Sequence, residues 1–311
     1  MQRVTKYSRV ILAAIVVILF GVNSVSAQES AVNAYSPYTM YGVGELGTHG
    51  NAINRTMGGT GVAMRSTQMA SMLNPAGYSA ILPKSFILEV GIEGNFLKNQ
   101  QRKYNSTSAD DYTTAENARN IINFREIAIQ MPIAKGLGFG FSLTPYGSVG
   151  YKMHTFEQSE DIWGTVGGVM YNYQGDGDVT EVKAGLGWEI FRGFSIGLAA
   201  KYYWGNIQHN YSTSIYGDYV GAGDFVGAIG LDDYAFSNFK FQVGLQWNIL
   251  STKKRLLTIG ATYDYGGPLR PKVTQTAYIG DLTQTVVAQE DSRGQMRLPH
   301  AVNAGITYQD A

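Results

Sequence analysis

Few residues in this chain have the types and spacing that chemistry demands. The four histidines, His49, His154, His209 and His300, are scattered, with no His-x-x-x-His pair and no His-Glu-x-x-His run of the kind that holds zinc. Acyl-transfer chemistry needs a serine beside a histidine that a third group orients. His154 has many serines within sequence reach, so its presence singles out no such pair. Cysteine is absent, which excludes a thiolate nucleophile, a Cys-ligated metal and any disulfide. "GLGFGF", residues 136 to 141, looks like a phosphate loop but is followed by neither a helix nor Gly-Lys-Ser/Thr, so its glycines are assigned to the inward side of a strand. "GDGD", residues 175 to 178, would need further oxygen ligands to hold calcium, and a solvated loop is the simpler assignment. The chain is therefore read as a non-enzyme with no cofactor and no metal site.

Binding chemistry is what remains. Five of the ten methionines, Met40, Met57, Met64, Met69 and Met72, fall between residues 28 and 83. A flexible, polarizable thioether suits a pocket for ligands of variable shape, though it equally fills gaps between packed elements. Met57, Met64, Met69, Met72 and Leu73 are the candidates for contact with a hydrophobic ligand. Arg55 and Arg65 could clamp a ligand carboxylate. The favoured assignment holds their segment to acidic wall positions, with Glu89, Glu93 and Glu181 available.

The elements that must position these residues begin after a targeting segment. Arg3, Lys6 and Arg9 precede an apolar run of 13 residues from Val10 to Val22, and Val25-Ser26-Ala27 supplies a small-residue cleavage site. A membrane-spanning helix takes about 20 apolar residues, so residues 1–27 are read as a signal peptide. Its removal takes Lys+Arg from 24 to 21 against 24 Asp+Glu, a formal charge of −3 that offers nucleic acid no basic footprint. With 44% hydrophobic residues and a mean hydropathy of −0.12, the chain is neither disordered nor a bundle of membrane helices.

From Lys84 onward apolar and polar residues alternate with a period of two. Phe239, Phe241, Val243, Leu245, Trp247 and Ile249 oppose Lys240, Gln242, Gly244, Gln246 and Asn248. Such alternation gives a sheet one greasy face and one wet face. The pattern recurs at Phe86 to Phe96, Ile127 to Ile133, Leu137 to Phe156, Val182 to Ile190, Phe194 to Trp204, Leu257 to Tyr265 and Val302 to Tyr308, making eight strands. The connections alternate between short turns, such as Phe191-Arg192-Gly193, and long stretches at 157 to 178, 206 to 236 and 266 to 297. Short turns on one side and long loops on the other describe an outer-membrane barrel rather than a soluble sandwich. Two aromatic girdles are expected: Trp188, Phe191, Phe194, Trp247 and Tyr308 near the short turns, and Tyr151, Tyr202, Trp204, Tyr263 and Tyr265 near the long loops.

Ahead of the strands, Ser66 to Leu73 sets Met69, Met72 and Leu73 on one helical face, and Asn74-Pro75 ends the helix, because proline disfavours helix in the residue before it. Residues 28–83 are thus expected to form a compact plug at the periplasmic mouth, with residues 84–311 as the barrel.

"RTMGGTGVAMRSTQMASMLNPAGYSAI", residues 55 to 81, resembles the N-terminal hatch of the long-chain fatty acid transporter family of outer-membrane proteins (FadL and TodX type). The match rests on Gly58, Gly59, Gly61, Asn74, Pro75 and Ala76. "YSPYTMYGVGELG", residues 35 to 47, and "LPHAVNAGITY", residues 298 to 308, are also similar to members of that family. The resemblance implies a monomeric 14-stranded Gram-negative barrel that takes up a hydrophobic small molecule such as a fatty acid. The ligand would be released into membrane lipid through an opening at a kink in the third strand. In "TPYGSVG", residues 144 to 150, Pro145 removes a ladder hydrogen bond and Gly147 and Gly150 weaken packing, so Pro145, Tyr146, Gly147 and Gly150 are the candidate lateral gate. A simple bulge is the alternative. Only eight strands fit into 311 residues, and an eight-stranded barrel has no room for such a plug, so the chain is expected to be a C-terminally truncated part of the larger barrel. The second functional expectation is an accessory barrel of an outer-membrane secretion or assembly complex, with a sealed lumen and protein partners.

Overall fold

The computed structural model describes residues 36–105, 108–157, 168–216, 227–252, 254–279 and 284–310. The segment expected to be a signal peptide lies outside them. The fold is all-β. Seven long strands, β2 (Ile87–Asn105), β3 (Ser108–Ala134), β4 (Leu137–Glu157), β5 (Gly168–Phe191), β6 (Phe194–Tyr216), β7 (Ala228–Ser251) and β8 (Arg255–Asp264), follow one another as an antiparallel meander, and β13 (Ala301–Asp310) pairs with β8. These eight match the eight stretches expected from the alternation, with only Phe86 and Tyr265 falling one residue outside their strands. They form a curled half-barrel whose outer strands, β2 and β13, are not paired with each other among the described residues.

The sheet is inside out relative to a soluble protein. Leu186, Trp188, Leu198, Phe239, Phe241 and Trp247 are exposed on its convex face, while Gln130, Glu181, Lys183, Ser195, Lys201, Gln242, Gln246 and Thr262 are buried on the concave one. Water cannot compensate unpaired backbone in hydrocarbon, so a continuous ladder with apolar side chains outward is what a bilayer permits. On β6 the outward apolar run extends from Phe194 to Trp204. Its eleven residues, ten rises of about 3.3 Å, span about 33 Å along the strand and roughly 25 Å once tilted, the height of a barrel's apolar band.

Two expectations about the connections fail. The stretches at 157 to 178, 206 to 236 and 266 to 297 are not mainly loops: β4 to β7 continue through them, and β9 (Gly267–Leu269), β10 (Lys272–Ile279), β11 (Gln284–Arg293) and β12 (Met296–Leu298) occupy the last. Along these stretches inward positions such as Ile207, Phe236 and Leu269 are apolar, so the polar-inward, apolar-outward pattern is lost although pairing persists. Tyr151 does not join a girdle. It points inward and bonds His209 Nδ1 at 2.7 Å, within a buried cluster with Val149, Val179, Tyr203, Ile207, Phe236 and Leu269.

The described residues ahead of β2, 36 to 85, called the hatch below, have little regular structure: a 3-10 turn at Pro37–Met40, the two-residue strand β1 (Glu45–Leu46), the short helix α1 (Ala52–Thr56) and a 3-10 helix at Pro75–Ala80. The helix expected over Ser66 to Leu73 is absent. Asn74-Pro75 begins a helix instead of ending one: the Asn74 side chain accepts from Ala76 N at 3.0 Å as the N-cap, and Pro75 takes the first helical position, where its missing N–H is no loss. Upstream, Ala70 N and Ser71 N turn outward to the Glu89 and Gln130 side chains, at 2.8 Å and 2.9 Å.

Candidate functional site

The hatch sits on a floor of glycine. Gly138, Gly187, Gly197 and Gly244 are consecutive cross-strand partners on β4, β5, β6 and β7, and all four face inward. A Cβ at Gly138 would overlap the Tyr78 carbonyl oxygen, at Gly187 that of Pro75, at Gly197 the Ala76 nitrogen, and at Gly244 the Asn74 amide oxygen. Glycine in a strand interior weakens it, and a close backbone approach is the usual reason to keep it there. Asn74, Pro75 and Ala76, expected from the hatch motif, are completely buried on this row.

Because the hatch lacks ladders of its own, wall side chains satisfy its backbone. Lys183 Nζ donates to Met72 O (2.7 Å), Gln242 Nε2 to Leu73 O (3.3 Å), and Gln246 Nε2 to Val62 O (3.1 Å) and Met64 O (3.2 Å). Asn74 Nδ2 donates to Val62 O at 2.8 Å and Leu245 O at 3.0 Å, tying the hatch to the β7 backbone. Buried backbone groups must find partners somewhere, and here the lumen wall supplies them.

Ion pairs complete the docking. Arg55 Nη1 meets Glu126 Oε2 at 2.6 Å, and Arg65 Nη2 meets Glu189 Oε2 at 3.2 Å. Both arginines anchor the hatch, though to carboxylates other than Glu89, Glu93 and Glu181. Burial pulls the Arg65 guanidinium below its ordinary value, opposed by Glu189, and burial raises the Tyr78 phenol. Deeper on the wall, Lys201 Nζ lies 2.6 Å from Asp264 Oδ1 and 3.6 Å from Glu181 Oε2, which accepts from Tyr203 OH at 2.7 Å. His49 of the hatch faces this group, and burial lowers its pKa.

Of the remaining predicted residues, Gly58, Gly59 and Gly61 adopt left-handed backbone, with φ of 72°, 82° and 142°. Met64, Met69, Met72 and Leu73 line a cavity of about 10 Å³, whereas Met57 is exposed at the end of α1. A space of that size holds roughly one water.

Pro145, Tyr146, Gly147 and Gly150 lie at a break in the sheet. The β4–β5 register slips between Pro145 and Gly147, leaving Tyr146 as the bulged residue, its ring edge-on to Tyr203 at 4.7 Å. On the other edge of β4, pairing with β3 ends at Ile127↔Leu143, although β2–β3 continues to Asn105↔Ser108 and β4–β5 to Glu157↔Val169. The exposed apolar residues Ile92, Phe96, Ile122 and Phe124 on β2 and β3 lie beyond this split, so it opens beside the apolar outer face. The hatch covers part of it: β1 pairs Glu45 with Ser148 and Leu46 with Gly147, Gly47 N donates to Tyr146 O at 2.8 Å, and Ser36 N donates to Gly150 O at 2.9 Å. A second bulge, between Gly91 and Ile92 on one side and Glu126 and Phe124 on the other, turns both Arg125 and Glu126 inward. Arg125 then bonds Thr48 of the hatch and pairs with Glu93 at 3.1 Å. A cleft of about 60 Å³ remains, bordered by the polar Glu45, Glu93, Asn95, Asn123, Arg125 and Ser148 and by Leu46, Phe124 and Pro145. Sequence reasoning placed a break at residues 144 to 150 but missed the parting of β3 from β4 there, the glycine row and the wall side chains that bond the hatch, because each is made by residues distant along the chain.

An all-β half-barrel with an apolar exterior, a polar interior and a hatch fixed on its inner wall defines an outer-membrane β-barrel fold. The BamG family model matches residues 8–311, and the chain belongs to that family. No curated protein matches it. The structure is similar to a crystal structure of a Pseudomonas aeruginosa FadL homologue, with 13% identity and a TM-score of 0.41, over 72% of this chain and 55% of that one. The chain thus spans about half the length of that relative.

Proposed function

We propose that this chain is an accessory barrel of an outer-membrane secretion or assembly complex, its lumen sealed and its outer surfaces engaged by protein partners. In this reading residues 1–27 direct export, residues 28–83 are the hatch, residues 84–311 are the barrel, and the mature protein resides in the outer membrane. The observation that carries it is the wall-to-hatch hydrogen bonding of Lys183, Gln242 and Gln246, which fixes the hatch by its backbone. Membership of the BamG family supports the same reading. Drug-sized ligand sites enclose about 300–1,000 Å³, whereas the clefts at the methionines and the seam measure about 10 and 60 Å³.

Uptake of a hydrophobic small molecule, held by Met57, Met64, Met69, Met72 and Leu73 and released past Pro145, Tyr146, Gly147 and Gly150, is the second reading. The break between β3 and β4 favours it. Native mass spectrometry of full-length protein extracted gently from outer membranes separates the two. A stoichiometric protein partner with no bound hydrophobe is the expected result. A tightly held fatty acid on a solitary barrel would overturn the first reading in favour of the second.

A further inference from the structure

The seam between β3 and β4 presents strand edges beside the apolar outer face. From Tyr146 to Gly150, the β4 edge that faces β3 is met by the hatch, through the two pairs of β1 and the bonds at Tyr146 and Gly150. Beyond Ile127, β3 has no described strand on its β4 side. Backbone groups left open beside lipid are costly, and strand pairing is how a sheet satisfies them.

We infer that this seam is a docking site for an extended β-strand of a partner outer-membrane protein, which adds to the β4 edge where β1 now sits. The inference rests on the accessory-barrel reading and specifies where and how the partner is held. Two observations select a strand over a hydrocarbon. First, β1 is already seated there as an antiparallel strand, so the edge accepts a segment in strand register through main-chain pairing. Second, the cleft beside it is lined mainly by polar groups, Glu45, Glu93, Asn95, Asn123, Arg125 and Ser148, with Leu46, Phe124 and Pro145 as its apolar members, so it offers a peptide both donors and acceptors for its backbone and surface for an apolar side chain. The seat of β1 is held from the β3 side by Arg125, which grips Thr48, so an incoming strand competes with a latched but small segment. Exposed Tyr38 and Tyr41 flank the seat and offer aromatic surface to the newcomer.

The absence of native cysteine makes the test direct. In the full-length protein, Phe124, which borders the cleft, is replaced by the photo-crosslinker p-benzoylphenylalanine, with and without the pair Glu45→Cys and Ser148→Cys. These two positions are cross-strand partners, close enough for a disulfide that locks β1 in place. The expected result is an adduct in whole cells whose crosslinked peptide maps to a β-strand of an outer-membrane protein, lost when the lock is oxidised and recovered on reduction. Adducts to lipid alone, no adduct, or a protein adduct indifferent to the lock would each overturn the inference. If a partner still co-purifies with the locked protein, the accessory reading stands and only its docking site moves. If no partner is found with either form, the accessory reading fails as well.

Discussion

Gly197 of β6 and Ala76 of the hatch approach so closely that a single methyl group on the glycine would overlap the Ala76 backbone nitrogen. The hatch is therefore seated by main chain against main chain, a contact that no side-chain rearrangement relieves. Gly197→Val should lift residues 74 to 80 off the wall and destabilise the docked state by about 1–3 kcal/mol, as for other overpacked interiors. Hydrogen exchange should show lost protection in the hatch while the strands stay protected. Unchanged hatch protection would contradict the contact.

Asn74 should behave as the hook of the hatch. Asn74→Ala removes the donors to Val62 O and Leu245 O and the acceptor for Ala76 N. Stranded buried groups cost about 1–3 kcal/mol, and the loss should appear as a lower melting temperature of the purified barrel. Asn74→Asp keeps the cap but turns an anion towards two carbonyls, so it should be no better tolerated than alanine.

Arg55 and Glu126 should be coupled. The carboxylate is nearly buried and the guanidinium one-fifth exposed, so stranding Glu126 alone leaves a charge with little solvent. Arg55→Ala with Glu126→Ala should destabilise less than the sum of the single changes, by about 0.5–3 kcal/mol in a denaturation cycle. Additive effects would mean that the pair contributes nothing specific.

His49 should make hatch docking sensitive to acid. Burial lowers its pKa from 6.5, with the Glu181 charge raising it and those of Lys201 and Lys183 lowering it. The docked state thus favours the neutral ring. Its contribution is fully present above pH 6.5 and declines as pH falls from there towards the lowered folded value. Protection of residues 36 to 50 should decrease over that window in the native protein. In His49→Gln the decrease should flatten.

The wall was legible in the sequence because one physical constraint, lipid on one face and polar lumen on the other, imprints a period of two on every crossing strand. Asn74-Pro75 was legible as a helix boundary, but its sense was inverted: it opens a 3-10 helix, and tertiary bonds from Glu89 and Gln130 draw residues 70 and 71 away from helix. Strand continuation beyond the apolar exterior left no such imprint, as at Asp176 and Asp178 on β5, where polar residues alternate with inward Gly175, Gly177 and Val179 and the pattern reads as a turn. The glycine row was visible only as scattered glycines. Its meaning depends on a register that joins residues 138, 187, 197 and 244.

That row has a wider consequence. A small barrel ordinarily fills its own interior with the side chains of its strands, whereas here the wall at this level contributes no side-chain bulk and residues 74 to 79 stand in for it. The sheet is a mould and the hatch is its casting. Their volumes are thus coupled across the length of the chain: a larger residue at 76 can be accommodated only by a change of strand backbone, because glycine leaves nothing smaller to substitute.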